Sequence, residues 1–259
     1  MIIRQARVSK TLEKHFGKGF RSKWGLSTYS NPNEPAVFLG LYNSEDINAF
    51  LSHKSFRLFI LGGSDMKPAT LLKLQEVIRD SSTFTWMYPG KISNDLSKNN
   101  IPHKQLYIAL KDYSPFKPVP LGDKIYVYRG AFKQNPSYYK WEEIVNPIIS
   151  HFGKNRVLFT EGQSIDSLVK KVYPQTFVYV KPNEKGGNTT MWEMGHMGIR
   201  TLGKGQNALP NFTEYKDITH LISLIHEEEK YIGQVRNAVS EGLQKIFKGP
   251  EWLDLSFWK

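Results

Sequence analysis

Residues 181–200 read KPNEKGGNTTMWEMGHMGIR. The stretch has the form of a strand end, a glycine turn and a helix that opens with polar residues. Gly186 and Gly187 permit close backbone approach and positive φ. Asn188, Thr189 and Thr190 suit a helix start whose backbone N–H groups face an anion. One turn further in, Glu193 stands between Trp192 and Met194 in a run that is otherwise apolar or small. A buried carboxylate there needs a polar partner, because an unpaired one is costly. Nucleotide phosphates on the helix start, with ribose hydroxyls on Glu193, satisfy both features. The alternative is an ordinary capped helix whose Glu193 points to solvent.

Outward from this turn, the chain alternates strand and helix patterns. Ala36–Gly40, Arg57–Gly62, Thr83–Tyr88 and Gln105–Leu110 read as buried strands in the first half. Asn43–Leu51 and Pro68–Arg79 read as helices between them. Asp112–Gly122 (DYSPFKPVPLG) holds three prolines and reads as a linker. The second half continues with strand Lys124–Tyr128, helix Tyr139–Phe152, strand Arg156–Thr160, a helix around Ser164–Val172 and strand Thr176–Val180. After the glycine turn and its helix come strand Ile199–Leu202 and periodic helices over Asp217–Tyr231 and Gln234–Phe247. Strand–helix–strand alternation predicts an α/β protein of two half-domains with parallel sheets, 1–118 and 119–259.

The composition fits that class. The chain has 259 residues, 40% hydrophobic and 23% charged, with no Cys. Thiolate nucleophiles, cysteine metal sites and disulfides are therefore excluded, and a reducing cytoplasm is the expected setting. No apolar run approaches the roughly 20 residues that span a bilayer, and no secretory signal opens the sequence. The formal net charge is +11, with 17 Lys and Arg against 9 Asp and Glu in residues 1–118. Arg4, Arg7, Lys10, Lys14, Lys18, Arg21 and Lys23 precede residue 33 with only Glu13 against them, and Phe16, Phe20, Trp24 and Tyr29 interleave. Such a segment is expected to bind a polyanion, duplex DNA in particular; the alternative is a solvated N-terminal arm.

Residues 120–250 resemble the donor-binding domain of two-domain nucleotide-sugar glycosyltransferases of the GT-B architecture. They are most similar to the retaining group whose glycine turn is followed by a helix with a ribose-binding glutamate. Gly186-Gly187-Asn188-Thr189, then Glu193, then Met197-Gly198-Ile199-Arg200 carry the likeness, and KIYVYRG resembles that domain's first strand. The resemblance implies two Rossmann-like domains, the first binding acceptor and the second the donor, with a C-terminal tail that returns to the first. It implies that Gly186, Gly187, Asn188, Thr189 and Glu193 hold a donor such as a UDP-sugar. It also implies that Arg129 and Lys133 contact the diphosphate. Where that group has an acid eight positions before the ribose glutamate, this chain has Lys185, with Glu184 one place further back.

In the first half, Gly62-Gly63-Ser64-Asp65 follows a strand at the end where open α/β sheets bind ligands. Gly63 would approach the donor, and Asp65 would orient the acceptor or act as base; the alternative is a tight turn capping the next helix. His15, His103 and His196 are further acid–base candidates. No Asp-x-Asp pair occurs, so the chemical step is expected to need no divalent metal. The leading expectation is transfer of a sugar to an anionic acceptor, as in phage enzymes that glycosylate hydroxymethylated DNA bases. Transfer to a surface polysaccharide or glycan is the alternative within that chemistry, and a non-catalytic nucleic-acid-binding protein is the alternative outside it.

Overall fold

The computed structural model describes residues 1–60, 83–86, 103–128, 137, 139–160, 163–182, 188–205 and 209–258. The chain divides into two compact units: Met1–Asp112 with Phe247–Lys259, and Tyr113–Ile246. The boundary falls at the start of the proline-rich segment. Each unit is built on a parallel sheet, so the α/β class and the parallel sheets expected from the alternation are those observed.

The first unit holds β1 (Gln5–Val8), β2 (Ser27–Thr28), β3 (Ala36–Leu39), β4 (Arg57–Ile60), β5 (Thr83–Trp86) and β6 (His103–Gln105), in the order β2-β1-β3-β4-β5-β6. β3 is buried along its whole length, as an inner parallel strand covered on both faces must be. β1 and β2 lie in the segment that reads as a charged arm from sequence. Only four residues long, β1 carries Arg7 inside it, so charge obscures its apolar side chains. Between them a helical stretch ends in α1 (Lys18–Trp24), closed by Gly25 at φ +63°, a left-handed cap that glycine adopts without strain. α2 (Ser44–Leu51) starts where its sequence predicts, with the Asn43 side chain accepting from the Asp46 N–H.

Two boundaries differ from expectation. The strand expected over Gln105–Leu110 is confined to His103–Gln105. Beyond it, Tyr107 bridges to Phe247 and its carbonyl accepts from Lys248 N–H, so the chain's C-terminal segment takes over the pairing. That segment also meets the N-terminus: Ile3 N–H donates to the Leu253 carbonyl, and Leu255 N–H to that of Met1. Trp252, fully buried, packs edge-on against Trp24 at 5.1 Å. The helix expected over Tyr139–Phe152 begins as a wide π-type turn, Trp141–Val145, before α3 (Asn146–Phe152). Pro147 supplies no N–H for the regular ladder there.

The second unit holds β7 (Lys124–Tyr128), β8 (Val157–Thr160), β9 (Thr176–Lys181), β10 (Arg200–Gly203) and β11 (Phe212–Glu214), in the order β11-β10-β9-β7-β8. α4 (Asn188–His196), α5 (Ile218–Glu229) and α6 (Asn237–Ile246) follow the chain order. Asp217 caps α5 by accepting from His220 N–H at 2.8 Å, a sequence signal read correctly. The predicted helix Pro68–Arg79 lies outside the described residues.

Candidate donor site of the second unit

The chain runs from β7 to β8 on one side, then returns to place β9 on the other side of β7. The strand order therefore reverses between β7 and β9, where a doubly wound sheet opens a crevice beyond its carboxyl ends. Tyr128 ends β7 and Lys181 ends β9. Tyr128 is partly exposed, at 39%, whereas Lys181 is buried at 2%. A lysine is rarely buried that deep unless paired. α4 opens seven residues after Lys181, with its N-terminus following this crevice.

α4 is held from several directions. Asn211 Nδ2 donates to the Met191 carbonyl at 2.8 Å. Trp192 meets Tyr113 edge-on, and His196 stacks on Tyr113 with ring centroids 4.8 Å apart. Gly195 allows the approach. A Cβ there would come within 2.6 Å of Asn211 Nδ2 and of Leu243 on α6.

On this anchored helix Glu193 is 6% exposed. Its side chain is buried, and the solvent-pointing alternative does not hold. Among the described residues Tyr173 is a polar partner of the kind burial requires, its hydroxyl donating to Glu193 Oε2 at 2.5 Å. Tyr173 touches Tyr126 edge-on at 5.7 Å, and the β7–β9 register sets Tyr126 opposite Tyr179. Tyr126 and Thr160 share a hydrogen bond of 2.6 Å across β7 and β8. Burial, reinforced by the Glu193 charge, raises the Tyr173 and Tyr179 phenols far above their ordinary value. Burial also raises Tyr126, with the Glu193 charge adding to the effect. Tyr128 shifts the same way, through burial, then Tyr139, then Glu193. The phenols stay protonated at neutral pH, so the carboxylate lies among neutral hydroxyl-bearing rings. This set of groups can accept from a diol and face a sugar or base ring.

Of the residues singled out by sequence, the structure brings Asn188, Thr189 and Glu193 onto one helix. Gly186, Gly187, Arg129, Lys133, Gly63 and Asp65 lie outside the described residues; Arg129 directly follows the last residue of β7. His15 is exposed in the first unit, His103 sits on β6, and His196 is buried beneath Tyr113.

The basic residues of the first unit separate into two sets. Arg7 donates to Asp46 at 3.2 Å and to Glu45 at 2.9 Å. Arg21 pairs with Glu13 through two nitrogens, and Lys23 lies 4.0 Å from Asp112. Arg4, Lys10, Lys14 and Lys18 are exposed, with no ion pair among the described residues. Asp46 also accepts from Ser9 Oγ at 2.5 Å. The Arg7–Asp46–Ser9 group therefore ties β1 to α2.

Sequence reasoning missed Tyr126, Tyr173, Tyr179 and Lys181. Apolar runs such as KIYVY and TFVYVK look the same whichever face meets a ligand. The available signal was the tyrosines themselves, since a buried phenol needs a hydrogen-bond partner.

The chain matches no known family model and no curated protein. Among solved structures it is similar to sucrose-phosphate synthase from Thermosynechococcus elongatus, over 93% of this chain and 76% of that one, at 13% identity and a TM-score of 0.56. The likeness is one of fold, consistent with two Rossmann-like units of the GT-B class, each on a parallel sheet.

Proposed function

We propose that the protein is a glycosyltransferase that moves a sugar from a nucleotide-sugar donor, such as a UDP-sugar, to an anionic acceptor. The observation that carries this reading is Glu193, a buried carboxylate among tyrosines on the helix that follows the sheet's reversal point. The likeness in fold to sucrose-phosphate synthase supports it. The donor's ribose hydroxyls bind Glu193, and its diphosphate lies at the start of α4, reached by Gly186, Gly187, Asn188 and Thr189. Bond cleavage puts negative charge on the departing diphosphate. The helix N-terminus, Arg129 and Lys133 stabilise that charge, and stabilisation acts on rate because the charge is greatest in the transition state. Asp65 orients the acceptor hydroxyl or takes its proton. The acceptor is a hydroxymethylated base in duplex DNA, drawn to the exposed cations Arg4, Lys10, Lys14 and Lys18.

Calorimetry with UDP, GDP and ADP, followed by donor hydrolysis assays with the matching nucleotide sugars, tests the donor reading. Glu193→Gln keeps a hydrogen-bonding group of similar size and should cost roughly 1.5–3 kcal/mol of nucleotide affinity. An unchanged affinity removes Glu193 from the site. Turnover should survive chelation of divalent cations; strict dependence on added Mn²⁺ or Mg²⁺ would overturn the metal-free chemistry.

A further inference from the structure

We infer that Tyr173 is the positioning residue of the donor site, aiming the Glu193 carboxylate at the ribose diol through the hydroxyl it donates to Oε2. The inference rests on the nucleotide reading above and adds a residue that the sequence motif does not contain. A glutamate has three side-chain torsions, and the last, about the carboxylate, turns almost freely. The 2.5 Å bond from Tyr173 fixes that rotation. Tyr173 cannot easily yield, because it is 1% exposed, packs edge-on against Tyr126, and meets Phe116 at 6.4 Å. Tyr126 is itself tethered to Thr160. The carboxylate direction is thus set by two strands and a turn outside α4. Recognition of hydroxyls depends on such support, because a loosely held acceptor loses ordering entropy on each binding event.

A Tyr–Glu bond that merely satisfied two buried groups would be equally short, so the test must read the diol. The probes are UDP, GDP and ADP with their 2′,3′-dideoxy forms, titrated calorimetrically into wild type, Tyr173→Phe, Glu193→Gln and the double variant. Tyr173→Phe should weaken the ribonucleotide by about ten-fold and the dideoxy form by less than about two-fold. Added to Glu193→Gln, the same change should have little further effect on the ribonucleotide, since the carboxylate it aims is gone. Equal losses for both nucleotide forms, or no loss, would reduce Tyr173 to a structural partner while leaving the donor reading intact. Should wild type bind none of the three diphosphates, the donor reading and this inference fall together. Should Tyr173→Phe fail to fold, Thr160→Val takes its place, since it removes the tether of Tyr126 and so loosens the support of Tyr173. A loss for the ribonucleotide larger than for the dideoxy form then supports the inference, and equal or absent losses overturn it. A dideoxy penalty in wild type that persists unchanged in Glu193→Gln shows the diol is read elsewhere and overturns the inference.

Discussion

Around Glu193, individual side chains carry a measurable signature. Tyr173, Tyr126 and Tyr179 have phenols raised above an ordinary value near 10, burial being the first cause in each. Below pH 10 both folded and unfolded chains hold these protons, and stability does not vary on their account. Above it, the unfolded chain releases them while the folded one retains them, so stability falls as pH rises. Each buried tyrosine should contribute a slope of about 1.4 kcal/mol per pH unit. Urea unfolding from about pH 10 upward should reveal that decline, and Tyr173→Phe should make it shallower. A slope untouched by the substitution would mean that Tyr173 titrates normally in the folded chain. At this scale the sequence identified Glu193 but not what surrounds it. The acid stands out among Trp192, Met191 and Met194. Tyr173, twenty positions earlier, reaches it only because the chain folds back.

Elements determine whether that carboxylate is delivered to the right place. α4 is short, polar at its start and buried almost throughout. Its position depends on Asn211, on Tyr113 and on the missing side chain at Gly195. Gly195→Ala would drive a methyl into Asn211 and Leu243, and overpacking of this kind costs about 1–3 kcal/mol. Chemical denaturation should register that loss, together with weaker nucleotide binding as α4 shifts. Full retention of both would show that α6 relaxes around the added methyl. The sequence signals for helix starts held wherever a side chain caps locally, as at Asn43 and Asp217. The helix expected over Tyr139–Phe152 is present from Trp141, with a wide first turn before Pro147. Among the strands, Gln105–Leu110 departs from expectation because its pairing partner is the distant Phe247–Lys248.

Across the whole molecule, charge is the property most open to test. The seven Lys and Arg of the first 33 residues overstate the cations available there, because Arg7 and Arg21 are committed to Asp46, Glu45 and Glu13. Arg4, Lys10, Lys14 and Lys18 are the set to neutralise. If duplex DNA is the acceptor, the protein should retard it at low salt. Each phosphate neutralised adds about 0.9 to the slope of log affinity against log salt. Changing the four to Gln should flatten that slope while leaving nucleotide affinity intact. No retardation by the wild type would direct the search for an acceptor toward a glycan.

The sequence by itself determined the class of the fold. Alternating buried strands and amphipathic helices admit few arrangements besides parallel sheets, and the polar helix start and Glu193 lie within one short stretch, so local chemistry is enough to find them. Only tertiary structure decided that β1 lies inside the first sheet, because Arg7 within it and the basic residues around it mask any periodicity. The same holds for the tyrosine shell of Glu193 and the division of the basic residues into paired and exposed. Tyr126, Tyr173, Tyr179 and Glu193 converge from separate elements, and Arg7 meets Asp46 across 39 positions. Contacts between residues so far apart depend on how the strands are ordered and registered, which no local pattern encodes.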